Sequence, residues 1–269
     1  MAEILKHILL FFIGGIITSS CGSGMTETGA DGGKPEKIIV ATAANVQFAM
    51  RELEQSFEDS AGINVEVVIS SSGKLTAQIR QGAPYDLLLS ANMKYPQTLY
   101  QDGWATTPPE VYALGSLVLW TLKDLELQED LSFLKDPEID KIAIANPRNA
   151  PYGEQAFRAF DFFDIHESLK SKLIYGENIA STNQYILSRA CDVGLTAKSV
   201  VLSPEMEGRG QWVEVPGGAY DSIKQGVIIT KHGQSEHGAA SRRFYDFLFS
   251  ATAAAIFERY GYSIPKKDI

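Results

Sequence analysis

A chain of 269 residues, 45% hydrophobic and 21% charged, has enough apolar material for one or two buried cores, so disorder is not its default. Its 24 Lys and Arg against 33 Asp and Glu leave a formal charge of −9, which argues against a nucleic-acid partner, since such binding depends on clustered basic side chains. The same charge offers a small anion no long-range attraction, so an anion site would have to work through local dipoles.

Lys6 and His7 precede an apolar run from Ile8 to Ile17, which ends in Thr18, Ser19, Ser20 and Cys21. The run is too short to span a bilayer, and a charged start, an apolar core and small residues before a break read as a secretory signal over 1–21. Small residues directly before Cys21 resemble a lipobox, whose cysteine becomes the lipidated first residue of the mature chain. Thr18 departs from the Leu preferred three places before it, and a plain cleaved signal is the competing reading. Residues 22–36 are rich in Gly, Ser, Thr, Glu and Asp and read as a flexible tether. If Cys21 carries lipid, Cys191 is the remaining thiol, and its expected role is a small buried apolar residue.

From Lys37 onward strand-like and helix-like runs alternate, which favours an α/β architecture with mostly parallel strands. Lys37 to Thr42 reads as a buried strand, and Met50, Leu53 and Phe57 follow at helical spacing. Ile63, Val65, Val67 and Ile69 alternate as a strand, Leu75 and Ile79 mark a short helix, and Asp86 to Ser90 is another strand. Lys141 to Ala145 reads as a strand before a helix bearing Ala156, Phe157 and Phe160. Gly226 to Thr230 is the last strand, followed by helices with Phe244, Phe247 and Leu248 and then Ile256, Phe257 and Tyr260. No linker divides the chain between Lys37 and its end, a pattern compatible with two lobes that exchange strands.

Four segments share one design, an extended stretch ending where a helix starts at small or hydroxyl-bearing residues: Ala43 to Asn45, Ser70 to Lys74, Ala150 to Gly153, and Asn178 to Ser181. Helix N-termini carry unpaired N–H groups and partial positive charge, so several converging ones could hold an anion without formal charges. Pro151 suits a first helical turn and leaves the Tyr152 N–H free. Singly, each segment is more simply an N-cap.

Three stretches go further. Val40 to Asn45, Ser70 to Leu75 followed by Gln78 to Pro84 and Asp86 to Ala91, and Phe257 to Gly261 together resemble the molybdate-binding proteins of ABC uptake systems, over nearly the whole chain from Lys37. The resemblance implies a type II periplasmic binding protein: two α/β lobes, 37–114 plus 224–269 and 115–223, joined by two crossing segments near Leu114 to Val118 and Tyr220 to Gly226. It implies ligation of molybdate or tungstate by the Asn45 and Ser72 side chains and by backbone N–H groups near Asn45, Ser72, Tyr152 and Ile179. Ala197 stands where some members place a Tyr ligand and is given no role. The implied partners are the oxyanion, an ABC transporter permease and, through Cys21, a membrane. The expected location is the periplasm or cell surface, with no cofactor, no nucleic acid and a monomeric state.

The loops contain no Asp or Glu apart from flanking Glu177, which disfavours hydrogen phosphate, whose proton needs an acceptor; sulfate stays open. Lys74 is expected to be solvated, and Asp86 to serve a sheet end or a cap. His7, His166, His232 and His237 show no metal-ligand spacing, and His232 and His237 are expected to be exposed. A rival reading takes Ser71 and Lys74, Ser181 and Asn183, and Lys231 with Gly233 as the motifs of a penicillin-recognising acyl enzyme with Ser71 as nucleophile, although His232 interrupts the third.

Overall fold

The computed structural model describes residues 36–266. The signal and lipid-site assignments at 1–21 and all but the last residue of the 22–36 tether lie outside them. Strand β1 (Lys37–Ala43) leads through a single 3-10 turn at Ala44–Val46 into α1 (Gln47–Ala61), and β2 (Asn64–Ser70) into α2 (Ser72–Arg80). Then come β3 (Leu87–Ser90), α3 (Lys94–Gln101), β4 (Glu110–Gly115) and β5 (Leu117–Thr121). The middle holds β6 (Ile142–Ala145), α4 (Pro151–Phe162), α5 (His166–Leu169), β7 (Leu173–Gly176), α6 (Ile179–Leu187), β8 (Val193–Ala197), α7 (Lys198–Val201) and β9 (Gln211–Glu214). The chain closes with β10 (Ile223–Ile229), α8 (Lys231–Phe247) and α9 (Ala251–Arg259). Among the described residues no helix is long and apolar enough to cross a membrane.

The strands form two five-stranded sheets, ordered β2-β1-β3-β10-β4 and β7-β6-β8-β5-β9. Both are mixed, which corrects the expectation of mostly parallel strands. β1 runs parallel to β2 and β3, and β6 parallel to β7 and β8, whereas β10 is antiparallel to β3 and β4, and β5 to β8 and β9. Parallel neighbours need a crossover helix. The strands flanking the two passages between sheets, at Ser116 and over 215–222, have none, and they pair antiparallel.

Period-two alternation explains why the first sheet is apolar on both faces. Val40, Leu87, Leu89, Val227 and Ile229 join the main core with Met50, Leu53, Phe57 and Phe244, while Ala41, Leu88 and Ile228 pack with Leu75, Ile79 and Leu99 on the opposite side. Phe57 of α1 meets Phe244 of α8 edge-on, with ring centroids 5.0 Å apart. Each such buried ring contributes about 1.5–3 kcal/mol. The alternation weakens along β2, an edge strand: Val65 is buried, but Ile69 is 41% exposed. In the second sheet Trp120 is wholly buried and its indole N–H donates to the Arg209 carbonyl at 2.7 Å. The Cys191 thiol is buried, and burial pushes its pKa up to about 12.

Candidate functional site

The four helix-start segments meet around one small cavity, lined by Ala43, Ala44 and Asn45, by Ser70, Ser71 and Ser72, by Ala150, Pro151 and Tyr152, and by Asn178 and Ile179, with Ala91 beside them. The first two segments follow β1 and β2 of the first sheet, and the last two belong to helices packed on the second. No lining residue carries a formal charge.

Accounting for backbone donors shows what this cavity offers. At α2 the Ser71 hydroxyl caps the Lys74 N–H (3.3 Å) and the Gly73 N–H donates to the Asn149 carbonyl (2.9 Å). Ser72 at the first helical position has no partner for its N–H within the helix. At α4, Pro151 has no N–H and Gly153 donates to the Ala150 carbonyl at 3.0 Å, which leaves Tyr152. At α6, Asn178 caps the Ser181 N–H at 3.0 Å, which leaves Ile179 and Ala180. Three helix dipoles thus present their positive ends, with N–H groups of Ser72, Tyr152 and Ile179, to one volume.

The Ser72 hydroxyl adds a side-chain donor. Its oxygen accepts the Ala91 N–H at 3.0 Å, so the end of β3 fixes the group and leaves its own hydrogen unassigned. Asn45 behaves differently from the reading of its side chain as a ligand. Both amide hydrogens are committed, to Gln225 Oε1 at 2.8 Å and to the Tyr262 hydroxyl at 2.9 Å. Asn45 therefore offers the cavity its backbone, while its side chain joins the passage strand β10 to the C-terminal segment. The Asn45 carbonyl accepts from Ser199 at 2.7 Å and from Tyr262 at 3.0 Å, which ties the first sheet's loop to α7 on the second.

Gln225, Ser199 and Tyr262 are functional neighbours that sequence reasoning missed. The one available signal was Gln225 itself, a polar residue in register with inward-facing Ile223 and Val227 of β10. Burial raises the Tyr262 phenol well above its usual value, opposed by its bonds to Ser199 and Asn45. Burial likewise raises Tyr152, with Tyr262, Tyr220 and Tyr112 adding to the effect and Asn45 opposing it. Both tyrosines stay neutral at physiological pH.

Lys74 is not simply solvated. Its ammonium pairs with Glu177 at 2.6 Å, from the opposite side of the cleft. This pairing and the caps also dismantle the acyl-enzyme constellation: Ser181 is turned to Asn178, Asn183 accepts from Thr196 at 2.6 Å, and Lys231 and Gly233 lie at the far end of β3 beside Asp86. Ala197 is a buried residue of β8 opposite Leu117.

The model of a bacterial extracellular solute-binding protein family matches residues 38–263. The chain belongs to that family. A molybdate-binding protein ModA of Rhodobacter capsulatus is 32% identical over 84% of this chain and 88% of its own length. A Bacillus subtilis protein described as a possible ABC transporter substrate-binding lipoprotein is 25% identical over 92% of this chain and 94% of its own. The solved periplasmic molybdate-binding protein of Azotobacter vinelandii superposes with a TM-score of 0.81 at 28% identity, covering 85% of this chain and all of that one. These matches establish the two-lobed type II binding-protein fold and place the chain with the ModA proteins among solute-binding proteins rather than enzymes.

Proposed function

We propose that this protein captures molybdate or tungstate outside the cytoplasm and delivers it to an ABC transporter permease. The observation that carries the reading is the convergence of three helix N-termini and one hydroxyl on a cavity without formal charge. A fully deprotonated tetrahedral dianion needs donors only, and preorganised dipoles in a buried setting supply them strongly. Hydrogen phosphate would also need an acceptor for its proton, and no lining side chain is a carboxylate. On this reading Ser72 binds through its hydroxyl and N–H, and Asn45, Tyr152 and Ile179 through backbone N–H groups.

Two lobes, 37–114 with 224–269 and 115–223, each contribute two of these four residues, so an anion touching both biases the closed form. The small residues before Cys21 support lipid attachment there, with residues 22–36 as the tether and a single copy of the chain as the working unit. Calorimetric titration with molybdate, tungstate, sulfate and phosphate tests the assignment. Saturable one-to-one binding is expected for the first two, with sulfate weaker and phosphate silent. A protein that bound sulfate or phosphate more tightly than molybdate would overturn it.

A further inference from the structure

At the opposite end of β3 from the cavity, about 16 Å away along the strand, lies a cluster of different chemistry. Asp86 is fully buried, and one carboxylate oxygen, Oδ2, accepts the Ile39 N–H at 2.6 Å. The other, Oδ1, is 2.9 Å from His237 Nδ1 and 3.8 Å from His232 Nε2. One ligand atom from each of the three residues lies within 4.8 Å of the others. Both imidazoles remain about a third exposed, 34% for His232 and 35% for His237, so the group opens to solvent on one side.

The backbone is bent to make this arrangement. Residues five apart on a regular helix point about 140° away from each other, so His232 and His237 could not face one point from an unbroken α8. His237 has φ −135° and ψ 40°, a non-helical conformation that interrupts the helix at that residue. The start of α8 is also pressed against Asp86. A Cβ on Gly233 would come 2.3 Å from the Asp86 carbonyl oxygen, and the Thr230 N–H donates to that same oxygen at 2.9 Å. A single Asp86–His237 hydrogen bond would account for the 2.9 Å contact, but not for His232 converging on the same oxygen.

We propose that Asp86, His232 and His237 bind one divalent transition-metal ion of the zinc class. Two imidazoles and a carboxylate are the donor set such ions take, with water completing the tetrahedron from the exposed side. With bonds of about 2.0 Å the donor atoms of a tetrahedral zinc site stand about 3.3 Å apart. The observed 2.9 and 3.8 Å bracket that value, and the third separation, between the two imidazole nitrogens, is within 4.8 Å, so the rings close on one ion by side-chain rotation. The Ile39 N–H holds the carboxylate as an outer-shell partner holds a ligand. This inference is independent of the oxyanion reading, since it uses none of the cavity's residues.

The test is calorimetric titration of the full chain, purified without a histidine tag, with Zn²⁺ alone. Asp86 is enclosed by the sheet, so the two histidines carry the comparison. One ion per chain is expected, and His232→Ala and His237→Ala should each weaken binding by at least the about 10-fold that loss of a mere outer-shell partner costs. His166→Ala, which removes a ring paired with Asp161 elsewhere, should leave Zn²⁺ affinity unchanged. Circular dichroism and molybdate titration on the same samples establish that each variant is folded. Zn²⁺ binding equal in the unaltered chain and both variants, or no saturable binding tighter than about 1 mM, would overturn the proposal.

Discussion

At the scale of the residue, Ser72 and Asn45 look alike in sequence but sit in different environments. On the proposed reading Ser72→Ala removes a donor to the bound dianion, a charge-assisted bond worth about 1.5–3 kcal/mol, so molybdate affinity should fall about 10- to 150-fold, and thermal stability should fall less than in Asn45→Ala, since the one protein group that loses its partner is the Ala91 N–H. Asn45→Ala should lower both, because it leaves Gln225 and the Tyr262 hydroxyl without their buried partner. Titration and thermal melts of the two variants separate the roles; equal loss of stability in both would contradict this assignment.

A second residue ties stability to pH. Burial alone would raise the Asp192 carboxyl, but Lys123 and the N–H groups of Asp140 and Lys141, both at 2.7 Å, outweigh it and hold the group below its usual value. A carboxylate with a lowered folded pKa stabilises fully above its unfolded value of about 3.9, and that contribution is lost as pH falls through the folded value. Asp192→Asn should therefore cost about 1–3 kcal/mol at pH 7, and the gap from the unaltered protein should narrow at pH 3 in urea unfolding. A gap that stays constant with pH would show that packing, not charge, is lost.

At the scale of the element, the N-terminus of α2 is one place where the two halves of the cleft touch. Gly73 donates to Asn149, and a Cβ there would meet the Asn149 Cβ and the Tyr95 hydroxyl at 2.9 Å each. Gly73→Ala should cost about 1–3 kcal/mol of closure through overpacking, about 5- to 150-fold in molybdate affinity. The exposed Lys74–Glu177 pair beside it should matter far less, so Glu177→Gln stays within about fivefold. Parallel titrations of both variants give the ranking, and the reverse order would refute it.

Much of this element-level design was legible in advance. Apolar periodicity marked β1, α1, α2, β6 and the final helices, and small or capping residues marked all four segments at the cavity. What was not legible depended on contacts distant in sequence. The commitment of Asn45 to Tyr262 spans 217 positions. The meeting of His232 and His237 with Asp86 required a break in α8 that local propensity does not announce, since Gly238 after it is equally at home in a loop. The antiparallel strands were missed for the same reason, because pairing direction is set by where the chain passes between sheets.

At the scale of the whole molecule, a chain of net charge −9 carries a cavity whose lining residues are uncharged. Like charge slows the approach of a dianion, and salt screens that repulsion over a Debye length of about 10 Å at 0.1 M. The association rate for molybdate should therefore rise with added sodium chloride, opposite to proteins that attract anions with lysine and arginine. Stopped-flow measurement across a salt series decides this, and a falling rate would point to a basic funnel that the lining residues do not contain.

The strand order has a further consequence, for the timing of assembly. β10 lies between β3 and β4, so the first sheet lacks an interior strand until residues 223–229 are available, whereas every strand of the second sheet falls within residues 117–214. As the chain emerges from its N-terminus, the later-encoded half has all its partners first. The earlier half must wait, with the edges of β3 and β4 unpaired and open to foreign strands, until the C-terminal segment returns. Tyr262, which reaches Asn45 only at that last step, then joins the end of the chain to its first loop.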